Sequence, residues 1–507
     1  MKYLIGIDIG TSATKAVLFD ETGKTIAEAS ADYRLSHPQP AWAEQDPQDW
    51  WEATVRTINV VMKSPGVSSD DVAGVGITGQ MHGLVLLDEK GAVLRPSILW
   101  CDQRTAEEAD DITNAIGRDD LVRITGNPAM TGFTAAKMLW VRKYEPGIWA
   151  KTAKILLPKD YVRYRLTGVM AFDVSDASGT QLLDIERRDW SHVVLEKLGF
   201  DKGLLSKVYE SPAEAGRVTS QAAKLTGLRA GTIVAAGAGD QAAAAVGNGI
   251  IRPGAVSVNV GSSGVVFVYS NHVVRDLEGR VHTLCHAVPG AWHMMGVTQG
   301  AGLSMKWFKD QFYDYEKKNV GNIYQLIDSQ AALIPPGSAG LYFLPYLMGE
   351  RSPHMNPTAR GVFFGISANH TKAHFTRALM EGVAYSLKDC LEVFTEMGIE
   401  PTSIRLSGGA GSSEVWRGII ADVFGTDLDL MTDAESGTRG AAILAGVASG
   451  IFGDIASAAA RFKWMTQPVR HNPDHAEMYR ARHRLYQKLY SQLKPCFNHA
   501  VSIESEM

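Results

Sequence analysis

Three glycine-rich segments carry residue types suited to handling phosphate. In GIDIGTSATK, Gly6 to Lys15, alternating β-branched residues lead to Asp8 and a turn at Gly10, leaving main-chain N–H groups and the Thr11 and Ser12 hydroxyls to cradle phosphate oxygens. Asp8 is the carboxylate placed to hold Mg²⁺ through water, and Lys15 is the cation of the segment. A second copy, VNVGSSG, offers Gly261, Ser262 and Ser263, with Asn259 standing where the first copy has Asp8. Only the first loop therefore supplies a carboxylate toward a metal. In the third segment, SGGAGSSEVW, the run Gly408, Gly409, Ala410 and Ser412 lets a flat ligand such as adenine lie against the backbone. Any one of these segments reads equally well as a simple turn; together they suggest two loops gripping one nucleotide tail.

The candidate base is Asp240 in AGAGDQAAAAVGNG. It follows a glycine turn and precedes an alanine run of strong helix propensity, which puts the carboxylate at a helix N-terminus, where the helix dipole keeps it ionised. An ionised carboxylate can accept a hydroxyl proton. For the acceptor, GITGQMHG supplies Gln80, Met81 and His82 at the end of one strand, and ILWCDQRT supplies Trp100, Asp102 and Arg104 at another. Polar groups beside Met and Trp suit a sugar, although a lone His or Trp is as readily core, and core burial is the expectation for Trp100. HTLCH, His282 to His286, is read as structural and not as a metal motif, because strand alternation would separate its ligands.

Elements that could position these residues follow from the pattern. IGIDIGTSATKAVLF recurs as VSVNVGSSGVVFVYS half a chain later, so two similar halves are expected, divided near Gly249 as residues 1–249 and 250–507, with a hinge in IIRPGA. Between the copies, strand signals such as VAGVGITGQ alternate with helical ones such as TAAKMLWVRKYEPGIW, whose Met138, Leu139 and Val141 favour one face. That alternation argues for α/β. The last helical stretch, around HAEMYRARHRLYQKLYSQLK, reads as packing.

The 507 residues exceed one core, and 45% apolar with 21% charged content is ordinary for a globular protein. A net charge of -5 without a basic block gives no footprint for nucleic acid or an anionic membrane, so a small-molecule partner is favoured. Cys101, Cys285, Cys390 and Cys496 form no CxxC pair and read as free thiols of a reducing, cytoplasmic compartment. The opening MKYLIGIDIGTS places Asp8 and Gly10 where a signal core or membrane span would need apolar residues, and leaves no room for a helix-turn-helix before the first loop.

Taken together the segments resemble the FGGY carbohydrate kinase family. GFTAAKMLWV and GVFFGISANHTKAHFTRALMEG are similar to its two signatures, with departures at Tyr144 and Leu379. The resemblance implies an α/β fold of two actin-like ATPase (ribonuclease H-like) domains with a central cleft. It also implies ATP and Mg²⁺ as cofactors, Asp240 as catalytic base, Asp8 near the metal, and sugar contacts from Met81, His82 and Asp240. Thr11, Ser12, Gly261, Ser262, Gly408 and Gly409 would lie along the nucleotide. QMHG, WCDQRT and GAGDQ favour D-xylulose as acceptor, with ribulose, gluconate or glycerol as alternatives; Met81-His82 stands where glycerol-directed members carry Arg-Glu. The family is compatible with a monomer or a homodimer. A chaperone or filament protein of the same fold is the reading from another class, disfavoured by the GAGDQ carboxylate.

Overall fold

The structure is a computed structural model and describes residues 1–432 and 435–506. In its first half, β1 (Tyr3–Ile9), β2 (Ala13–Asp20) and β3 (Thr25–Asp32) form an antiparallel meander. β4 (Val72–Gly79) joins β1 in parallel, followed by an edge of β5 (Glu214–Arg217) and β6 (Ile233–Ala235), giving the order β5-β6-β4-β1-β2-β3. A two-residue strand, β7 (Ala238–Gly239), pairs in parallel with the far end of β4.

The second half repeats this plan. β8 (Ala255–Val260) and β9 (Gly264–Ser270) form the second hairpin. With β10 (His282–Cys285), β11 (Trp292–Thr298), β12 (Ser403–Gly408), β13 (Leu428–Met431) and β14 (Thr466–Val469) they make a sheet ordered β10-β11-β9-β8-β12-β13-β14. In each sheet three antiparallel strands lead to a strand flanked in parallel by the next two, β1–β4–β6 and β8–β12–β13. The internal echo is thus a structural duplication. Strands at the centre, such as β1, are buried on both faces, which accounts for their near-continuous β-branched composition.

Helices position the rest: α1 (Thr134–Tyr144), α2 (Pro158–Thr167), α3 (Val174–Ser178), α4 (Asp240–Gly247), α5 (Gly302–Phe312), α6 (Lys372–Glu396), α7 (Glu414–Phe424), α8 (Ser436–Ala448), α9 (Ile455–Arg461) and α10 (Ala476–Glu506). The one-faced helix expected in TAAKMLWVRKYEPGIW is corrected. It is buried all round from Thr134 to Val141, and it stops at Tyr144 because Pro146 cannot continue it. α10 buries Tyr479, Tyr486, Tyr490 and Phe497 against the second core. Among the described residues no helix is long and apolar enough to cross a membrane.

The halves are joined by more than the chain at Gly249. α8 and α9 lie in the second half of the sequence yet pack on the first sheet, in an apolar cluster with Leu4, Val17, Phe19 and Val246. α8 comes so close that a Cβ on Gly6 would stand 1.8 Å from Thr438 O, and one on Gly76 1.9 Å from Ala441 O. Its Gly440 meets Ala243 O of α4 in the same way, at 1.9 Å. These glycines are required by backbone-to-backbone approach.

Candidate active site

Two carboxylates lie at the carboxyl ends of parallel strands on either side of β4, the usual location of ligands in such sheets. Ile9 of β1, Gly79 of β4 and Gly239 of β7 share one register, so Gly10, Gln80 and Asp240 leave the sheet side by side. Asp240 is the first residue of α4, capped by Gly239, and its Oδ1 accepts from Gln241 N at 2.7 Å. It keeps partial access to solvent, yet burial pushes its carboxyl up to about 6. The helix terminus does not hold the group at an ordinary value, as the sequence suggested; burial outweighs it. The carboxyl is nevertheless mostly ionised at neutral pH.

Asp8, opposite Thr78 in the register, lies against the first turn of α8, where a Cβ on Gly437 would stand 2.8 Å from its Oδ2. Burial, then the charges of Asp240 and Glu435, push Asp8 up to about 7, with Lys15 opposing. Lys15 is held by Glu435 at 2.5 Å and by Glu28 at 3.1 Å, so it serves the carboxylate group here instead of projecting freely. Three carboxylates around one lysine form an anionic focus that a divalent cation would relieve.

The phosphate loops occupy corresponding strand ends. Thr11 Oγ1 accepts from Trp100 Nε1 at 3.0 Å, its carbonyl accepts from Gln45 Nε2 at 2.6 Å, and Tyr33 OH donates to Gly10 O at 2.6 Å; Ser12 is exposed. In the second half Val260 is in register with Gly408, which brings Gly261, Ser262 and Ser263 beside Gly408 and Gly409. Gly408 has φ +85°, and a Cβ there would meet Val260 O at 2.6 Å. Gly261, Ser262, Gly408, Gly409 and Ser412 are exposed, whereas Ala410 is buried in the second core, so only its main chain could face a nucleotide. A crevice lined by Gln241, Asn248, Ser257, Asn259 and Ser436 runs between α4 and the second sheet.

Near Asp240 lies a side-chain group of mixed polarity. A Cβ on Gly239 would stand 2.9 Å from Met81 Sδ, and one on Gly179 2.6 Å from His82 Cε1, so Met81 and His82 fill the space between α3 and α4. His82 has φ +67°, an unusual backbone for a residue with a side chain. Its carbonyl is held there by Lys137 Nζ at 2.8 Å and Thr134 Oγ1 at 3.1 Å. Burial, with help from Lys137, keeps the imidazole neutral by lowering it to about 3. Because Nδ1 faces Gly179 O at 2.7 Å it carries the proton, and Nε2 is left as an acceptor. Phe133 stacks on His82 with centroids 4.4 Å apart and tilts toward His282 at 5.8 Å. Arg351 Nη2 then donates to His282 Nε2 at 3.2 Å, while His282 Nδ1 meets Asn127 Oδ1 at 2.9 Å.

This chain matches the FGGY family of carbohydrate kinases, N-terminal domain, over residues 3–247, and the C-terminal domain over residues 256–449. The chain belongs to the FGGY family of carbohydrate kinases. It is 40% identical to the xylulose kinase of Escherichia coli (strain K12), covering 97% of this chain and 99% of that one. It is 38% identical to the xylulose kinase of Bacillus subtilis (strain 168), covering 97% and 98%. The crystal structure of the Rhodospirillum rubrum xylulose kinase superposes with a TM-score of 0.91 at 31% identity, covering 98% of this chain and 100% of that one. As a carbohydrate kinase, the chain takes its phosphoryl group from ATP.

In this FGGY kinase several expected sugar contacts have other duties. Gln80 is buried, donating to Gln45 Oε1 at 3.0 Å and accepting from Thr11 Oγ1 at 3.4 Å, so it braces the first loop. Asp102 accepts from Ala43 N at 2.6 Å and from Arg104 Nη2 at 2.6 Å, while Arg104 also pairs with Glu44 at 2.8 Å and stacks over Trp42 at 3.5 Å. Both side chains are spent in that buried clamp, which corrects the expectation of sugar contact. Trp100 is not core: it is 43% exposed and points its N–H at Thr11. Residues not anticipated are Phe133, Lys137, His282, Arg351 and Glu435. The first two sit inside the recognised GFTAAKMLWV segment, whose pattern shows nothing of the side chains' directions. His282 lay in a motif read as structural, and Arg351 and Glu435 carry no local signal.

Proposed function

We propose that the protein phosphorylates D-xylulose at its terminal hydroxyl with ATP, with Asp240 as general base, in the cytoplasm. The observation that carries this reading is an ionised, recessed carboxylate on α4 with Met81 against the adjoining Gly239 and a neutral His82 next to Met81 in the chain, beside glycine loops suited to phosphate. Asp240 takes the proton of the C5 hydroxyl as that oxygen bonds to the γ-phosphorus. The bond from the γ-phosphorus to the bridging oxygen breaks, and ADP leaves with that electron pair. A carboxyl near 6 suits this task at neutral pH, and such assistance is worth about 10²- to 10⁴-fold.

His82 Nε2 accepts from a sugar hydroxyl, and Met81 and Phe133 cover the CH face. Arg351, held by His282, donates to oxygens at the other end of the acceptor. Asp8, with Glu435 close by, fits Mg²⁺, which supplies charge neutralisation on the nucleotide phosphates. The Gly10–Ser12 and Gly261–Ser263 loops and Gly408–Gly409 hold the nucleotide. Release of ADP by the purified protein with MgATP is the test, across D-xylulose, D- and L-ribulose, gluconate and glycerol, against a no-sugar control. Selective stimulation by D-xylulose is expected. Stimulation by another acceptor moves the substrate and keeps the kinase, and sugar-independent hydrolysis alone overturns the reading.

A further inference from the structure

Behind Asp240 the protein buries an unusual amount of charge. Lys159 and Arg163 of α2 stand with Asp160, Asp173 and Asp176, all at or near zero exposure. Burying ions is costly even when they pair, and an apolar set of the same volume would pack at least as stably. Such a cluster calls for a reason beyond stability.

Its contacts supply one. Lys159 Nζ lies 2.5 Å from Asp160 Oδ1 and 2.7 Å from Asp173 Oδ1, and Arg163 Nη1 lies 2.8 Å from Asp160 Oδ1. Asp176, 3.4 Å from Lys159, has both carboxyl oxygens buried without a hydrogen-bond partner, and burial holds it well above the ordinary range despite that lysine. A proton on Asp176 balances the cluster, leaving two cations against two anions. Two arms leave it, and both end on the segment that delivers Asp240. Arg163 Nη1 donates to Ala236 O at 2.5 Å. Asp173 Oδ2 accepts from Ser175 Oγ at 2.6 Å, which commits the hydroxyl proton to the carboxylate and turns an oxygen lone pair to the Gly239 N–H at 3.1 Å. Gly239 is the cap of α4 and the neighbour of Asp240.

We propose that Ser175 and Asp173, backed by Lys159, are positioning residues for phosphoryl transfer: they fix the Gly239 amide and thereby aim the Asp240 carboxylate at the acceptor hydroxyl. Neither touches substrate. The inference rests on Asp240 being the base. It explains why the hydroxyl is oriented by a carboxylate, since an unoriented serine could present its proton to the amide and release it.

The test compares Ser175→Ala, Asp173→Asn, Ser211→Ala and Asp240→Asn in the full chain, by sugar-dependent ADP release and thermal unfolding. Ser211 Oγ also donates to Asp173 Oδ2, at 2.9 Å, but its side chain does not bond the Gly239 amide, so Ser211→Ala removes a comparable buried hydrogen bond without freeing that amide. Ser175→Ala is expected to lower kcat at least about tenfold, toward the roughly 10²-fold that a misplaced catalytic group costs, with KM for ATP and for sugar held within about twofold. Ser211→Ala is expected to lose as much thermal stability and keep its kcat. Asp173→Asn, which loosens the serine without deleting it, should fall between, and it decides the matter if Ser175→Ala does not fold. Equal kcat losses in Ser175→Ala and Ser211→Ala, or unchanged kcat in both Ser175→Ala and Asp173→Asn, overturn the proposal. Near-native turnover in Asp240→Asn overturns the underlying assignment of the base instead, so the two failures are told apart.

Discussion

Replacing Asp240 by Asn should make the protein more stable while stopping its chemistry. The native carboxyl sits at about 6 against an ordinary 3.8, with burial as the leading cause. In the unfolded chain the group therefore releases its proton at lower pH than in the folded one. Between those values the folded state binds more protons, so stability falls as pH rises through the window. The shift of about two units corresponds to about 3 kcal/mol of destabilisation once both states are ionised, an upper figure because the carboxylate keeps some solvent access. Asn retains an oxygen for the Gln241 N–H and carries no charge, so the variant regains this energy. The gain is expected to be about 3 kcal/mol at pH 8 and about 1 kcal/mol at pH 4.5. It also relieves Asp8, for which Asp240 is the largest like-charge neighbour. Thermal and urea unfolding of both proteins at the two pH values, without nucleotide or metal, reads the difference, and ADP release reads the activity. A variant no more stable at pH 8 than the parent, or one with an equal advantage at both pH values, would refute the electrostatic reasoning.

For the parent enzyme, kcat/KM for sugar should fall about tenfold per unit below about pH 6, as Asp240 protonates, and a profile flat to pH 5 would contradict this. Asp8→Asn is expected to cut turnover by about 10²-fold or more and to raise the Mg²⁺ concentration needed for half-maximal rate; unchanged metal dependence would remove Asp8 from the metal site. Arg351→Met should raise KM for sugar at least about tenfold with KM for ATP unaltered, whereas a variant with both constants intact would show that Arg351 only supports His282. Gly440→Ala places a methyl 1.9 Å from Ala243 O and should lower both stability and kcat by displacing α4, which a paired melting and turnover measurement checks.

What was legible in the sequence follows from how local each signal is. The duplicated hairpins could be read because alternation and a glycine turn are properties of a dozen consecutive residues, and Asp240 because glycine followed by an alanine run marks a helix start. Gln80, Asp102 and Arg104 flank strand ends, which in the sequence points them to the sugar. Their actual partners, Gln45 and Glu44, come from a two-residue strand that no periodicity announces. Trp100 shows the reverse failure, since residue type favours burial while its indole N–H is used on Thr11 at the surface. Arg351 and His282 lie far along the chain from His82 and are brought near it by the packing of Phe133, which no spacing rule contains.

Close backbone packing fixes where Asp240 is carried. Asp240 begins a helix whose far side is gripped, at glycine contacts, by α8 from the other half of the chain, and Asp8 abuts the first turn of that same α8. A shift of the second half against the first must therefore pass through the two elements that flank both carboxylates. Packed backbones cannot deform gradually, because a Cβ-sized intrusion at Gly6, Gly76 or Gly440 already meets a carbonyl. Any closure around sugar and nucleotide would therefore carry α8 together with the first sheet, leaving Asp8 and Asp240 at the spacing that β1, β4 and β7 set. Burial first, and then repulsion from Asp240 and Glu435, raises Asp8 in this fixed arrangement, and relief of both is the energy available to favour cation binding there.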